Sequence, residues 1–166
     1  MPPVIKSATA QDAAWITDIW NAVIADTLVT FTTTLKTVQE VAELIEARPV
    51  FTLSDGQGFA TYGPFRAGPG YSATAEHTIY LAPDACGRGQ GAALMDHMTA
   101  HAAQTGHRVL VAGISSANPG AVRFHARHGF AQVGHMPGVG HKAGQWLDLI
   151  LMQKTLNPPD TARDPG

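Results

Sequence analysis

The stretch IYLAPDACGRGQGAALM, residues 79–95, joins an apolar run typical of a β-strand to a run typical of an α-helix through a cluster of glycines. Gly87, Gly89 and Gly91 allow the backbone to turn tightly. The helix that begins after them exposes unpaired amide N–H groups at its positive end, where phosphate binds well. The stretch therefore predicts a phosphate-binding loop, although the same glycines would also suit a plain strand-to-helix turn.

A dinucleotide is one candidate ligand for this loop, because Gly87, Gly89 and Ala92 satisfy the pattern G-x-G-x-x-G/A. The dinucleotide fold also needs an acidic residue about 20 positions further on to hold the ribose. Residues 97–147 contain no Asp or Glu, which argues against that ligand. The same region is locally cationic, with three arginines, one lysine and seven histidines. It therefore favours a different ligand that carries several phosphates.

Composition indicates one ordinary globular domain. The chain has 166 residues, a net charge of −2 and 14% charged residues, so nothing favours binding to nucleic acid or to an anionic membrane. Residues 1–156 are expected to form the single domain, and the Pro-, Asp- and Gly-rich tail 157–166 is expected to be disordered. Cys86 is the only cysteine, and Asp12 interrupts any early apolar stretch. Both features predict a protein of the cytoplasm.

The pattern of apolar residues predicts elements in the order β-α-α-β-β-β-α-β-α-β-β, a mixed α/β arrangement on one sheet. Thr37 and Glu40 form a capping box at the start of the second helix. Asn118 followed by Pro119 predicts the start of a short helix that Gly129 ends. The last two strands are expected at about 130–135 and 145–155, around a glycine-rich connection, MPGVGHKAG.

Two separated segments, IYLAPDACGRGQGAALM and NPGAVRFHARHGF, resemble the GNAT superfamily of acetyl-CoA-dependent N-acetyltransferases. More narrowly, AEHTIYL, FHARHGF and GHKAGQWLDLILMQKTL look like the branch that acetylates phosphinothricin and methionine sulfone or sulfoximine. The resemblance extends from Val4 to Leu156. It implies the GNAT fold, with a mixed, mostly antiparallel central sheet flanked by helices. It also implies acetyl-CoA as co-substrate, no metal, and a homodimer.

The resemblance also implies where coenzyme A binds. The pantetheine arm is expected along the backbone of Ile79, Tyr80 and Leu81, and the pyrophosphate on the loop formed by Cys86, Gly87, Arg88, Gly89, Gln90, Gly91 and Ala92. Asn118 and Phe124 complete the expected coenzyme site. Cys86 departs from the superfamily pattern, which has Arg or Gln there. Backbone N–H groups and Arg88 are expected to replace part of the lost contact, and Cys86 is either a tolerated small residue or a reactive thiol.

Transfer of acetyl to an amine needs a proton acceptor, an oxyanion donor and a proton for the departing thiolate. The resemblance implies Glu76 as the general base, and strand alternation puts Glu76, Thr78 and Tyr80 on one face. A backbone N–H near residues 79–81 is the expected oxyanion donor. His125 is expected to protonate the thiolate or to share the role of base. A solvated strand carboxylate and a structural histidine are the simpler alternatives for these two residues.

For the acceptor, Arg66 is predicted to pair with the carboxylate of an amino-acid-like compound, unless it is simply an exposed loop arginine. Phe31 and Tyr62 are predicted to shape the pocket around the rest of that compound. His97 and His101, four residues apart, match a metal-binding spacing but lack further ligands, so an exposed helix face is favoured.

The expected activity is transfer of acetyl from acetyl-CoA to the amino group of a small amino-acid-like substrate. Two alternatives stay open: acetylation of a protein N-terminus or another amine such as a polyamine, and a coenzyme-A-binding sensor without catalysis, for which Cys86 is the only indication.

Overall fold

A computed structural model describes residues 2–157, so nearly all of the predicted tail lies outside the described residues. The strands are β1 (Ile5–Ser7), β2 (Val50–Leu53), β3 (Gly58–Pro64), β4 (Thr74–Leu81), β5 (Val109–Ser115), β6 (Ala131–Lys142) and β7 (Gln145–Thr155). The helices are α1 (Ala13–Asp26), α2 (Val38–Ala47), α3 (Gln90–Gln104) and α4 (Pro119–Arg127). The order of elements predicted from the sequence is confirmed.

All seven strands form one sheet in the order β1-β2-β3-β4-β5-β7-β6. Five of the six neighbouring pairs are antiparallel, and only β4 and β5 run parallel. The predicted mixed, mostly antiparallel sheet is therefore confirmed. Helix α3 connects the two parallel strands, and residues 82–89, which include the glycine cluster, lead from the end of β4 to its N-terminus.

Local signals in the sequence set the helix ends. Thr37 Oγ1 accepts a hydrogen bond from the Glu40 N–H (3.1 Å), and the Glu40 carboxylate accepts one from the Thr37 N–H (2.7 Å), as a capping box requires. At the start of α4, the Asn118 side chain accepts a hydrogen bond from the Ala121 N–H (3.2 Å). Gly129 follows α4 with φ +86, a left-handed conformation that glycine adopts without strain.

Helices cover both faces of the sheet. On one face, α3 inserts Leu94, Met95 and Met98 into the larger core, and α4 packs beside it. On the other face, α1 and α2 bury Ile16 and Val41 against a second, smaller cluster. Each large apolar side chain buried in this way contributes about 1.5–3 kcal/mol.

The prediction that MPGVGHKAG connects the last two strands is wrong, because most of this segment belongs to β6. The strand continues to Lys142, which pairs with Gln145, so only Ala143 and Gly144 form the turn. Both turn residues have positive φ, as a tight two-residue hairpin turn requires. A register shift between Met136 and Gly140 absorbs the extra residues as a bulge. The glycines therefore bend the strand without ending it.

Candidate active site

Strands β4 and β5 separate in the middle of the sheet. They pair only over residues 74–76 and 109–111, although β4 continues to Leu81 and β5 to Ser115. The other edge of β4 stays paired with β3 along its whole length, from Ala75 to Leu81. Beyond Glu76, one backbone edge of β4 therefore has no strand beside it. An extended ligand can take that place by pairing with the free backbone groups.

A cleft of about 270 Å³ occupies the gap between the two strands. Because the strands diverge, side chains from both faces of the sheet line this one cleft. The lining comes from the α1–α2 loop, the two strands, α4 and β7: Val29, Thr30, Phe31, Glu76, His77, Thr78, Ile79, Tyr80, Ala112, Gly113, Ile114, Ser115, Asn118, Ala121, His125 and Leu149.

Glu76 is the acidic residue of the cleft lining. A Cβ atom at Gly113 on β5 would lie 3.1 Å from Glu76 Oε1, so the missing side chain of Gly113 makes room for the carboxylate. Partial burial of the carboxyl group raises the pKa of Glu76, although the residue as a whole is exposed in the cleft, and within residues 2–157 no hydrogen-bond donor to the carboxylate opposes this effect. A carboxyl group with a raised pKa and open access to a cleft is suited to accept a proton from a ligand.

His77 and His125 meet at the side of the cleft, with 3.0 Å between their Nε2 atoms. His125 Nδ1 lies 2.7 Å from the Ala121 carbonyl oxygen, and because that oxygen can only accept, Nδ1 carries the proton. In neutral His125, Nε2 is then an acceptor, and a donor Nε2 on His77 completes this hydrogen bond while leaving the buried His77 Nδ1 without a partner. Both ring nitrogens of His125 are therefore engaged within the protein.

Burial favours the neutral form of both histidines. Burial, followed by the nearby His125, lowers the pKa of His77 to about 3. Burial also lowers the pKa of His125, with a smaller contribution from His128, while the hydrogen bond to the Ala121 carbonyl acts in the opposite direction. A neutral imidazole whose only proton is held by a carbonyl is a poor donor to a thiolate.

The glycine loop lies at the other end of β4. Gly87 and Gly89 have φ of +79 and +76, and a Cβ atom at either position would meet nothing within 4 Å. These glycines are needed for their backbone conformation, and they leave open space in front of the first turn of α3. The N–H groups of that turn have no partners within the helix, as an anion-binding helix N-terminus requires. The residues present therefore fit a phosphate-bearing ligand.

Two side chains, Gln90 and Phe124, contact other elements at the glycine loop and the start of α3. The Gln90 amide donates to the Asp55 carboxylate (2.9 Å), which ties the loop to the β2–β3 turn. Phe124 packs beneath the loop, because a Cβ at Gly91 would lie 3.6 Å from its ring. Cys86 and Arg88 are exposed. Asn118 both caps α4 and lines the cleft.

Of the three residues predicted to bind the acceptor, only Phe31 lines the cleft. Tyr62 is buried on the opposite side of β3, where its hydroxyl lies 2.8 Å from His101 Nδ1. The reason is that Tyr62 lies on β3, which stays paired with β4 and does not border the gap between β4 and β5. Arg66 is exposed on the β3–β4 loop, with its guanidinium over the Phe65 ring. Neither Tyr62 nor Arg66 is a wall of the cleft.

Sequence reasoning missed His77, Gly113 and Thr30. His77 follows Glu76 directly, but its strand position indicated only the opposite face of the sheet. Gly113 interrupts the β-branched run RVLVAGI, and a glycine inside a strand often marks a close approach, so this signal was available. Thr30 stands in a loop without any recognisable pattern.

Within residues 2–157, no group of three or more His, Cys, Asp or Glu side chains is arranged to hold a metal ion. Over the same residues, no helix is both long enough and apolar enough to cross a membrane.

Comparisons with known proteins agree with this geometry. The model of the acetyltransferase (GNAT) family matches residues 17–130. The L-methionine sulfoximine/L-methionine sulfone acetyltransferase of Pseudomonas paraeruginosa is 33% identical, over 98% of this chain and 99% of that protein.

Solved structures are similar as well. A phosphinothricin acetyltransferase from Sinorhizobium meliloti in complex with acetyl-CoA is 30% identical, with a TM-score of 0.91 over 100% of this chain and 94% of that one. A ribosomal-protein-alanine N-acetyltransferase from Brucella melitensis is 32% identical, with a TM-score of 0.87 over 92% of this chain and 99% of that one.

Proposed function

The chain belongs to the GNAT acetyltransferase family and is an acetyl-CoA-dependent N-acetyltransferase, and we propose that its acceptor is the amino group of a small amino-acid-like compound. Methionine sulfone, methionine sulfoximine and phosphinothricin are the compounds named for its relatives. The observation that carries the proposal is the cleft between β4 and β5, which brings Glu76 beside a free backbone edge.

Glu76 is proposed to take one proton from the ammonium group of the acceptor. The nitrogen lone pair then attacks the thioester carbonyl carbon, a C–N bond forms and the C–S bond breaks. The products are an amide and the coenzyme thiolate, and the second proton that the nitrogen must lose goes to the thiolate. The raised pKa of Glu76 supports this role, because it brings the pKa of the base closer to that of the ammonium group that gives up the proton.

The free edge of β4 is proposed to hold the thioester. Beyond Glu76, backbone groups that face the cleft have no partner strand, and an N–H there can donate to the oxygen that becomes negative during attack. At the far end of the same strand, Gly87, Gly89 and the first turn of α3 would hold the pyrophosphate. The proposed sites thus follow one strand from the reacting carbonyl to the phosphates.

His125 is proposed to complete the wall of the cleft, while Glu76 alone accepts the proton of the amine. The engagement of both His125 nitrogens, with Ala121 and His77, supports this narrower assignment over the shared proton role expected from the sequence. Replacing His125 with Asn tests it: a role in the wall predicts a changed acceptor KM with little change in the pH dependence of kcat.

Arg66 stays a predicted partner of the acceptor carboxylate, although it is absent from the cleft lining. Replacing Arg66 with Ala should raise the KM of the acceptor and leave that of acetyl-CoA unchanged. A raised acetyl-CoA KM with an unchanged acceptor KM would assign Arg66 to the coenzyme instead.

A homodimer is proposed to form through the β6–β7 hairpin. Strand β6 is the edge of the sheet, and four large apolar residues on this hairpin are exposed: Val133, Met136, Val139 and Trp146. A second copy of the chain would cover both the free strand edge and these side chains. Sedimentation equilibrium tests this state, and a Trp146→Lys, Val139→Lys variant should shift it towards the monomer.

A location in the cytoplasm stays a prediction from the sequence.

The acceptor is tested by following thiol release from acetyl-CoA with a panel of amines. We expect the amino-acid-like compounds to exceed an alanine-initiated peptide and spermidine in kcat/KM by about 10-fold or more. The peptide is the second candidate because of the structural similarity to the ribosomal-protein-alanine enzyme, and a preference for it would replace the first proposal. Coenzyme A binding without turnover on any amine would favour a sensor.

A further inference from the structure

The loop between α1 and α2 forms one wall of the cleft, although residues 27–36 contain no regular secondary structure. Val29, Thr30 and Phe31 are its lining residues, and they are called the acceptor wall below. A loop without internal ladder hydrogen bonds takes its position from the contacts that other elements make with it. For the acceptor wall, two of these contacts come from β6.

The first contact joins Phe31 to Gly140. A Cβ atom at Gly140 would lie 2.5–2.7 Å from three atoms of the Phe31 ring, closer than any real contact. The ring therefore rests directly on the backbone of β6. Gly140 is buried and does not have positive φ, so its missing side chain provides space and not an unusual conformation. Any side chain at this position would push the Phe31 ring away from β6.

The second contact is made by Lys142, two residues further along β6. Its buried ammonium group donates to the carbonyl oxygens of Ile24 (2.6 Å) and Thr30 (2.9 Å). Ile24 lies in the last turn of α1, where a cation is favoured by the helix dipole and satisfies an unpaired carbonyl. One side chain thus fixes both the end of α1 and the acceptor wall to the same strand.

The bulge in β6 places Gly140 for this contact. The Asp148 carboxylate on β7 accepts a hydrogen bond from the Gly138 N–H (2.8 Å), and its other oxygen lies 2.8 Å from His135 Nε2. Asp148 therefore contacts β6 both before the register shift, at His135, and within it, at Gly138. This explains why the glycine-rich segment is ordered as a strand and does not form a loop.

We infer that Gly140 and Lys142 determine the acceptor specificity of the enzyme, by fixing through β6 how far Phe31 and Thr30 reach into the cleft. The inference rests on the proposed function, because it assigns the acceptor to this side of the cleft. Neither residue needs to touch the acceptor, so both are positioning residues. A displacement of the wall by about one methylene group corresponds to a change of about 10- to 200-fold in discrimination between acceptors.

The test compares Gly140→Ala with Gly134→Ala, a matched variant on the same strand. A Cβ at Gly134 would meet Leu151 at an ordinary 3.5 Å, so this control should leave the cleft unchanged. The measured quantity is the ratio of kcat/KM for methionine sulfone to that for alanine, together with the KM of acetyl-CoA. We expect Gly140→Ala to change the ratio by about 10-fold or more while the acetyl-CoA KM stays constant.

A Phe31→Ala background separates the inferred contact from general damage to the fold. Without the ring, Gly140→Ala has nothing to displace, so its effect on the ratio should disappear. An effect of the same size in both backgrounds would overturn the inference, as would a ratio that changes less than twofold in Gly140→Ala. For the second contact, Lys142→Met should change the same ratio, and Lys154→Met, at the other end of the sheet, should not.

Calorimetric binding of the acceptors to the protein with coenzyme A distinguishes failure of this inference from failure of the proposed function. If the wild-type protein binds acceptors but does not turn them over, the acetyl-transfer proposal fails. The ratio of the Kd values for methionine sulfone and alanine, compared between wild type and Gly140→Ala, still tests whether Gly140 positions the acceptor wall. If turnover is normal and Gly140→Ala leaves both ratios unchanged, only the inference fails. Wild-type protein that binds no acceptor overturns both.

Discussion

Replacing Glu76 with Gln removes the proposed proton acceptor and keeps the shape of the side chain. The ammonium group of a free amino acid has a pKa well above 7, so only a small fraction of the acceptor molecules is already neutral at pH 7. The variant can use only this fraction and gains no assistance at the transition state. General base assistance contributes about 10²- to 10⁴-fold, so we expect kcat/KM at pH 7 to fall by at least about 10²-fold.

The pH dependence sharpens this prediction. In the wild type, kcat/KM should rise as the pH increases through the pKa of Glu76, which burial places above the ordinary value of 4.5. In Glu76→Gln this limb should disappear, and the logarithm of kcat/KM should rise with unit slope across neutral pH as the amine itself loses its proton. Steady-state kinetics from pH 5 to 9, with acetyl-CoA saturating, measure both profiles.

The thermal stability of Glu76→Gln should change in the opposite direction to its activity. Because burial raises the pKa of Glu76, the folded state disfavours the charged carboxylate, and the wild type loses stability as the pH rises through that pKa. At neutral pH, Glu76→Gln should therefore unfold at the same temperature as the wild type or higher. Glu46→Gln, on the exposed side of α2, is the matched control and should change neither property. A Glu76→Gln enzyme that keeps a third or more of its rate from pH 6 to 9 would exclude Glu76 as the base.

Three further predictions address the surroundings of Glu76 and the coenzyme loop. In Gly113→Ala, the new Cβ would lie 3.1 Å from Glu76 Oε1 and displace the carboxylate, so kcat should fall by about 10-fold or more without loss of thermal stability, measured by kinetics and calorimetry. In nitrogen NMR spectra at pH 7, His125 should carry its proton on Nδ1 and His77 on Nε2, and His77 should stay neutral down to about pH 4, given its pKa of about 3. Cys86→Arg should tighten acetyl-CoA binding in calorimetry if the loop lacks a side-chain contact.

Each of these predictions has an outcome that contradicts it. Unchanged kcat in Gly113→Ala would mean that the carboxylate does not need its observed position. A proton on Nε2 of His125 would break the deduced arrangement of the pair and restore His125 as a possible donor to the thiolate. Unchanged affinity in Cys86→Arg would show that backbone N–H groups suffice for the pyrophosphate.

Much of the fold could be predicted because its signals are local. Thr37 with Glu40 and Asn118 with Pro119 define helix starts within a few residues, and the sequence places both correctly. The bulge in β6 could not be predicted, because glycines favour a loop when considered alone. Its strand structure depends on Asp148, which belongs to the next strand.

The candidate site could be predicted only in part, for a related reason. Glu76, Phe31 and Asn118, which the sequence assigned to the site, line the cleft, whereas Tyr62 does not, because β3 lies on the far side of β4 from the gap. The contact between His77 and His125 joins residues 48 apart, and that between Lys142 and Thr30 joins residues 112 apart. Such contacts depend on how helices and loops pack on the sheet, which no short pattern in the sequence encodes.

The separation of β4 from β5 accounts for several properties of the site at once. It opens a backbone edge for an extended ligand, and it lets Glu76 from one face and His125 from the other border a single cleft. Partial burial at this gap raises the pKa of Glu76, although its backbone still pairs with Val111 of β5. The free edge costs stability, since paired backbone groups are the usual state inside a sheet. A ligand that pairs with this edge recovers that stability only when bound, so binding energy and the geometry needed for catalysis come from the same gap in the sheet.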